Sequence, residues 1–337
     1  MKDIGITTTV PVEILMAAGY RPIDLNNILV DDSNPERFIN MAEADGFPQT
    51  CCTWIKGIYG VCRETGIENI LGVTGGDCSN TLMLLDVLSL KGHKVLEFAY
   101  PELADVALVS SDLTTLAKNL GTTLAEAEAI RNSLDTCRNA VQELDDMTWQ
   151  KNNVTGWENH LWQVSSSDFN QNPETFVRDV CQVIEECRKR PSYAPDSLRL
   201  AYIGVPPVFA GEFYPFIEKQ NAHVVYNEIQ RQFNMVFRGN GLAEQYTKYT
   251  YPYSVWGRLE DISQEVPRRR VDGIIHYVQA FCHRGISDIV FREKLSLPML
   301  TIEGNDEFFL SNHLKTRLEA FVDMIRIKKQ KSANEDA

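Results

Sequence analysis

Cys52, Cys78 and Cys282 stand 26 and 204 residues apart, each at a point where the sequence pattern places the start of a helix after a β-strand. A thiol at a helix N-terminus meets free N–H groups and the positive end of the helix dipole, which favours the thiolate that metals bind. The spacing matches no compact zinc knuckle, and the chain contains no Cys-x-x-Cys. Three thiolates can instead hold an iron–sulfur cluster with one exchangeable position, whose open iron binds a substrate oxygen as a Lewis acid while the cluster donates an electron. Spacing alone leaves two other readings open: three buried cysteines without a metal, or a structural zinc with His283 as fourth ligand.

Other residues join this set by position. Glu13 opens a helix at the same sheet edge, where it could hydrogen-bond or ligate near a metal, although a carboxylate favoured by the helix dipole has the same signature. His276, Gln279 and His283 flank Cys282, and a histidine there could orient a water or move a proton. Ser79 and Asn80 suit a cap for the helix after Cys78. The run Arg268-Arg269-Arg270 fits either a solvated charged face or contacts to phosphate. Cys62, Cys137, Cys181 and Cys187 are expected in the core.

The elements that must position these residues alternate as in parallel sheets. Ile4–Val10 reads as a strand, followed by a helix from Pro11 to Ala18 with Gly19 as its stop. Arg21–Leu25 and Ile67–Thr74 return to the sheet, Thr53–Thr65 and Asn80–Leu90 carry helical spacing, and Lys94–Ala99 extends again. Between 103 and 189 the pattern becomes long and amphipathic, with helices expected over Leu113–Met147 and Pro173–Lys189. Alternation resumes with strands at Leu198–Val205, His223–Glu228, Val271–Val278 and Pro298–Glu303, and helices at Phe213–Gln220, within Tyr251–Pro267 and at Asn312–Lys328. The expected class is therefore α/β, with two Rossmann-like parallel-sheet domains. Their bounds are an N-terminal domain over 1–105, a helical insert over 106–195, a C-terminal domain over 196–330 and a charged, frayed tail over 331–337. Ligands in such sheets bind beyond the carboxyl ends of the strands, the edge where all three cysteines are expected.

Composition limits the partners. The 337 residues are 44% apolar and carry a formal charge of -13, which disfavours nucleic-acid backbones and anionic membranes. No apolar run approaches a membrane span and the start lacks the apolar core of a signal peptide, so a cytoplasmic protein is expected. There is no flavin or nicotinamide fingerprint and no Gly-x-x-x-x-Gly-Lys-Ser/Thr loop, so any nucleotide hydrolysis must come from another protein.

Several stretches together resemble the 2-hydroxyacyl-CoA dehydratase and benzoyl-CoA reductase family of iron–sulfur subunits. Residues 9–23 are similar to its opening Pro-x-Glu, Ala-Ala-Gly and Pro pattern. The likeness continues through Cys52-Thr53-Trp54-Ile55-Lys56 and Cys78. In the second half it runs through 201–206, 224–228, 271–276 with Cys282, 298–303 and 314–321, in the family's order. The Cys-x-x-x-Lys arrangement selects Cys52 over its neighbour Cys51.

The resemblance implies a [4Fe-4S] cluster bound by Cys52, Cys78 and Cys282 in the cleft between two Rossmann-like halves. It further implies an acyl-CoA substrate, a homologous sister subunit or a homodimer, and a separate ATP-hydrolysing iron–sulfur activator that injects one electron at low potential. The thioester carbonyl of a 2-hydroxyacyl-CoA would become a ketyl radical that expels the neighbouring hydroxyl, with Glu13 and His283 as the catalytic candidates. A double cubane would need more ligating thiols than these three. The same scaffold also admits an ATP-coupled reductase of another small substrate, benzoyl-CoA reductase-like or double-cubane-like, and an electron-relay subunit that turns over nothing alone.

Overall fold

The computed structural model describes residues 1–304 and 307–335. Along the chain come β1 (Lys2–Ile6), α1 (Val12–Ala17), β2 (Tyr20–Asp24), α2 (Leu25–Asp31), α3 (Glu36–Ala44), α4 (Thr53–Thr65), β3 (Asn69–Gly75), α5 (Asn80–Leu90) and β4 (Lys94–Ala99). A helical stretch follows: α6 (Val106–Asn119), α7 (Leu124–Ser133), α8 (Asp135–Asp146), a π-helical turn Met147–Lys151, α9 (Gly156–Ser165) and α10 (Pro173–Cys187). Next are β5 (Leu198–Gly204), α11 (Ala210–Lys219), β6 (Ala222–Asn227), α12 (Glu228–Phe233), α13 (Leu242–Lys248) and α14 (Val255–Arg268). The chain closes with β7 (Gly273–Gln279), a 3-10 turn His283–Ile286, α15 (Ser287–Lys294), β8 (Met299–Gly304) and α16 (Asn312–Glu335).

These elements form two compact units. The first comprises 1–142, 163–181 and 232–258; the second comprises 143–162, 182–231 and 259–337. The helical middle of the chain is thus shared out between the units, with the boundaries falling inside α8, α9, α10, α12 and α14.

The first unit holds a four-stranded parallel sheet in the order β2-β1-β3-β4. Its central strands are apolar on both faces, as parallel strands covered on both sides must be: Ile4, Ile6, Ile70, Leu71 and Val73 are all fully buried. Helix α5 packs on β3 and β4, and α4 packs on α2, α3 and α5. The approach of α3 to α4 depends on Gly60, since a Cβ there would lie 2.5 Å from the Phe38 carbonyl oxygen. No side chain fits that gap, so the residue type fixes the helix pair.

The second unit repeats the arrangement with the order β6-β5-β7-β8, again all parallel. Leu200, Ala201, Ile203, Val225, Ile274 and Ile275 form its buried sheet core. Helix α11 lies against β6, and α16 covers β8. The expected α/β class with two parallel sheets is what the chain adopts. Helix α16 continues to Glu335, into the tail set at 331–337 from sequence; 336 and 337 lie outside the described residues. No helix among the described residues is long and apolar enough to cross a membrane.

Candidate functional site

Each sheet reverses its winding direction between its second and third strands in space: β1 and β3 in the first unit, β5 and β7 in the second. Ligands in open parallel sheets bind outside the carboxyl ends at such reversals. In the first unit, β3 ends at Gly75 and Cys78 follows three residues later; in the second, β7 ends at Gln279 and Cys282 follows three residues later. The two cysteines therefore occupy the same topological position, after the third strand of each sheet. Both precede a helical segment, and both are partly exposed.

The turn before Cys78 depends on Gly76. Its φ is +86°, and a Cβ would come within 2.9 Å of the Pro252 carbonyl oxygen and the Tyr100 Cβ, so only glycine fits. Cys78 O then accepts the Thr81 N–H at 3.1 Å to open α5. Ser79 is the residue before the helix, but its side chain makes no capping hydrogen bond, contrary to the sequence expectation.

Cys52 reaches the same edge by another route. It follows α3 and an irregular stretch rather than a strand, because the crossover from β2 to β3 contains α2 and α3 before α4 begins. Helix α4 then leads into the amino end of β3 after only a short connection. A helix of 13 residues and a strand of seven have comparable lengths, about 20 Å each, so the start of α4 is carried back to the carboxyl edge. Cys52 occupies the cap position and its carbonyl accepts the Lys56 N–H at 3.1 Å. The Lys56 ammonium is fully buried and paired with Glu43 at 2.8 Å. Cys52 itself is 8% exposed.

In the second unit, Phe281 holds a left-handed φ of +63° and Cys282 N–H donates to the Gln279 carbonyl at 3.1 Å. Cys282 O accepts from Gly285 N–H at 3.0 Å, starting the 3-10 turn. His276 is buried with Nδ1 2.7 Å from Asp288, and Gln279 is buried with its Oε1 accepting from Tyr277 at 2.9 Å. Of the three polar neighbours of Cys282 named from sequence, His283 is the exposed one. Partial desolvation and then the adjacent Arg284 guanidinium hold its pKa below the usual imidazole value.

Glu13 has a different setting from the one its position suggests. Its carboxylate is fully buried, with Oε1 accepting from Arg138 and from Gln245 at 2.9 Å, and Oε2 accepting from Tyr246 at 2.7 Å. Burial opposes ionisation, but the Arg138 charge and the hydrogen bonds from Arg138 and Tyr246 outweigh it and keep the carboxyl below its ordinary range. Both oxygens are committed to protein donors.

The remaining thiols separate from the three. Burial pushes Cys62 up to about 12 and Cys187 up to about 11, and it raises Cys137, so each resists becoming a thiolate. Cys181 is exposed on α10, which corrects its expected place in the core; it lies on the solvent side of an amphipathic helix. Arg269 is fully buried, bridging Asp145 and Glu265, while Arg268 stacks 4.9 Å from the Trp149 ring. Arg268 and Arg270 are exposed, as a solvated face requires, while Arg269 between them belongs to a core ion-pair network that neither reading of the run anticipated.

Within each unit by itself, no group of three or more His, Cys, Asp or Glu among the described residues is gathered to hold a metal ion. Cys52 and Cys78 belong to the first unit and Cys282 to the second. The donor chemistry nevertheless fits an iron–sulfur cluster: three thiols at the entrances of helical segments, distinct from Cys62, Cys137 and Cys187, whose burial raises their pKa. Asp24 and Asp168 form a further buried acidic pair in the first unit, and Asp288 with Thr301 surrounds His276 in the second; no sequence motif pointed to either.

The model of one protein family, 2-hydroxyglutaryl-CoA dehydratase, D-component, matches residues 7–325. No curated protein matches the chain.

Proposed function

We propose, because the chain belongs to the 2-hydroxyglutaryl-CoA dehydratase D-component family, that it is the iron–sulfur subunit of an ATP-activated radical dehydratase acting on a 2-hydroxyacyl-CoA thioester. Cys52, Cys78 and Cys282 are our ligands for a [4Fe-4S] cluster, drawn from both units. The observation that supports this most is the recurrence of a partly exposed cysteine three residues beyond the third strand of each sheet, where parallel sheets bind their ligands. When bound, such a cluster supplies single electrons at low potential and an iron with a free coordination position.

The chain's own groups set the conditions for that chemistry. Cys52 and Cys78 stand at helix entrances, where the positive end of a helix dipole favours a thiolate. The Glu43–Lys56 pair fixes α4 against α3, and Gly76 fixes the turn before Cys78. His283, exposed beside Cys282, is our candidate for hydrogen bonding to a polar group of the substrate. Glu13 holds α1 to α8 and α13 rather than acting on substrate, since both its oxygens are occupied. Electron delivery falls to a separate ATP-hydrolysing activator, and a sister subunit or second copy completes the assembly.

The test is the iron and acid-labile sulfide content of anaerobically isolated protein, wild type against Cys52→Ala, Cys78→Ala and Cys282→Ala. Each substitution is expected to abolish bound iron while circular dichroism stays native. Iron unchanged in any of the three removes that residue from the ligand set. With an activator present, turnover of 2-hydroxyacyl-CoA but not of aromatic-CoA is expected, and the reverse result assigns the chain to the reductases.

A further inference from the structure

The segment that carries Cys282 has little apolar anchorage. The 3-10 turn beginning at His283 runs directly into α15, and Phe291 is the one described residue of that eight-residue helix that is buried. Ile286 and Ile289, the large apolar residues nearest to Cys282 on this segment, are 72% and 70% exposed. An isolated helix this short does not hold itself together in water, so tertiary contacts must fix it. Phe281, immediately before Cys282, sits in a left-handed conformation that a bulky side chain keeps only where its surroundings impose it.

The main polar contact of α15 with the sheet is one carboxylate. Asp288 Oδ1 receives His276 Nδ1 from β7 at 2.7 Å and Thr301 Oγ1 from β8 at 2.6 Å. Its Oδ2 receives Arg292 Nε, one turn further along α15, at 2.6 Å. Arg292 also bonds Thr301 and lies 3.4 Å from the Met299 carbonyl. His276 is rigidly placed, being 2% exposed in a strand paired on both sides, with its ring edge-to-face on Phe291 at 5.3 Å between centroids. The two strand residues thus grip the same carboxylate oxygen, while the helix's own arginine braces the other.

We infer that Asp288, held by His276 and Thr301, is a positioning residue that sets the placement of Cys282 by fastening α15 to β7 and β8. Its importance for catalysis rests on the proposal that Cys282 is a cluster ligand; its effect on the placement of Cys282 does not. Asp288 acts at a distance of six residues along a continuous helical segment, and it touches neither substrate nor metal. Hydrogen bonds to an ionised carboxylate are stronger than neutral ones, and three donors on one group hold a unique geometry. Loss of that group releases the short helix as a local unit.

The experiment uses iron-free full-length protein and reads Cys282 alkylation by iodoacetamide through peptide mass spectrometry, with Cys78 as the internal reference, beside amide exchange over 282–294. Asp288→Ala is expected to speed exchange over 282–294 about tenfold and to change the Cys282 alkylation rate about fivefold, with Cys78 unchanged. Asp288→Asn keeps an acceptor for His276 and Thr301, so it is expected to restore both readouts to within about twofold of wild type. A general loss of stability would also speed amide exchange in β5 of the same unit, which is expected to stay at its wild-type rate, and the conservative variant would not rescue it selectively. Wild-type exchange and alkylation in a folded Asp288→Ala protein overturn the inference, as does an equal change at Cys78. If Asp288→Ala does not fold, Thr301→Val removes the Thr301 bonds to Asp288 and Arg292 while leaving the His276 contact, and unchanged exchange over 282–294 in that variant is equally fatal. Iron retained in Cys282→Ala would end the catalytic significance while leaving these readouts interpretable.

Discussion

The charge on Glu13 is stable inside the first unit only because Arg138, Gln245 and Tyr246 surround it. Removing one partner of a buried ion pair leaves the other uncompensated, a loss of about 3 to 5 kcal/mol. Glu13→Gln is therefore expected to cost stability of that order in urea unfolding while leaving the iron content per folded molecule unchanged. Iron lost without loss of stability would reverse this assignment and place Glu13 near the cluster. The sequence reading found Glu13 because a carboxylate at a helix start is a local signal. It could not find the partners, which stand 125, 232 and 233 positions away and share no spacing with it. Cys52, Cys78 and Cys282 are the opposite case, since their places at helix entrances follow from local pattern. Arg269 is obscure in the sequence for the reason Glu13 is only half legible: its partner Asp145 is 124 residues distant.

At the scale of elements, the joint between β2 and the segment after α9 carries two carboxyl groups. The Asp24 backbone N–H donates to Asp168 at 2.9 Å, and Ser167 Oγ donates to Asp24 at 2.6 Å. The chain then passes Phe169, Asn170 and Gln171 with φ of 54°, 47° and 63°, three successive left-handed residues without a glycine. Phe169 is buried edge-to-face on Phe176, which keeps this costly path in place. The groups facing Asp168 are Asp24 from β2, carboxylate and backbone N–H alike, and the Asn170 N–H from its own turn; Arg138 of α8 lies over the Phe169 ring and is committed to Glu13. Desolvation first, and the Asp24 charge second, raise Asp168 to about 7; desolvation raises Asp24 as well. A carboxyl whose folded pKa is raised binds protons more tightly in the folded state, so its contribution declines as pH rises from about 4 to about 7 and is constant above that. Asp168→Asn removes the titration and keeps an acceptor for the Asp24 N–H. Its stability relative to wild type is expected to improve between pH 5 and pH 8 by roughly 1 to 3 kcal/mol, read as urea midpoints. A difference that does not vary over that range refutes the pairing. Elements with strong punctuation were legible: α4, α5 and β4 fall on the residues read from spacing, with Gly66 and Gly92 in left-handed conformations after the two helices. The amphipathic spacing from Leu113 to Met147 reads as continuous, yet Gly121 at φ +77° follows the end of α6 and the Thr123–Glu126 capping box starts α7. That signal was in the sequence, overridden by an amphipathic pattern that happens to stay in phase across the break.

For the whole molecule, the repeated sheet order is the feature with the widest consequence. Two units built as β2-β1-β3-β4 and β6-β5-β7-β8 each present one cysteine beyond the third strand, and a metal bound by both would link their local stabilities. A ligand that binds only the folded state stabilises it by mass action, and the gain appears wherever its contacts are made. Reconstituting the proposed cluster in the metal-free protein with ferrous iron and sulfide under reducing, anaerobic conditions is therefore expected to slow amide exchange at 76–81 in the first unit and at 280–287 in the second together. Neither change is expected in Cys78→Ala or in Cys282→Ala, because a centre that needs sulfur from both units cannot assemble with either missing. Exchange slowed in one unit alone, with the other at its metal-free rate, would show that the second cysteine binds nothing and that the matched strand ends reflect shared topology without a shared metal.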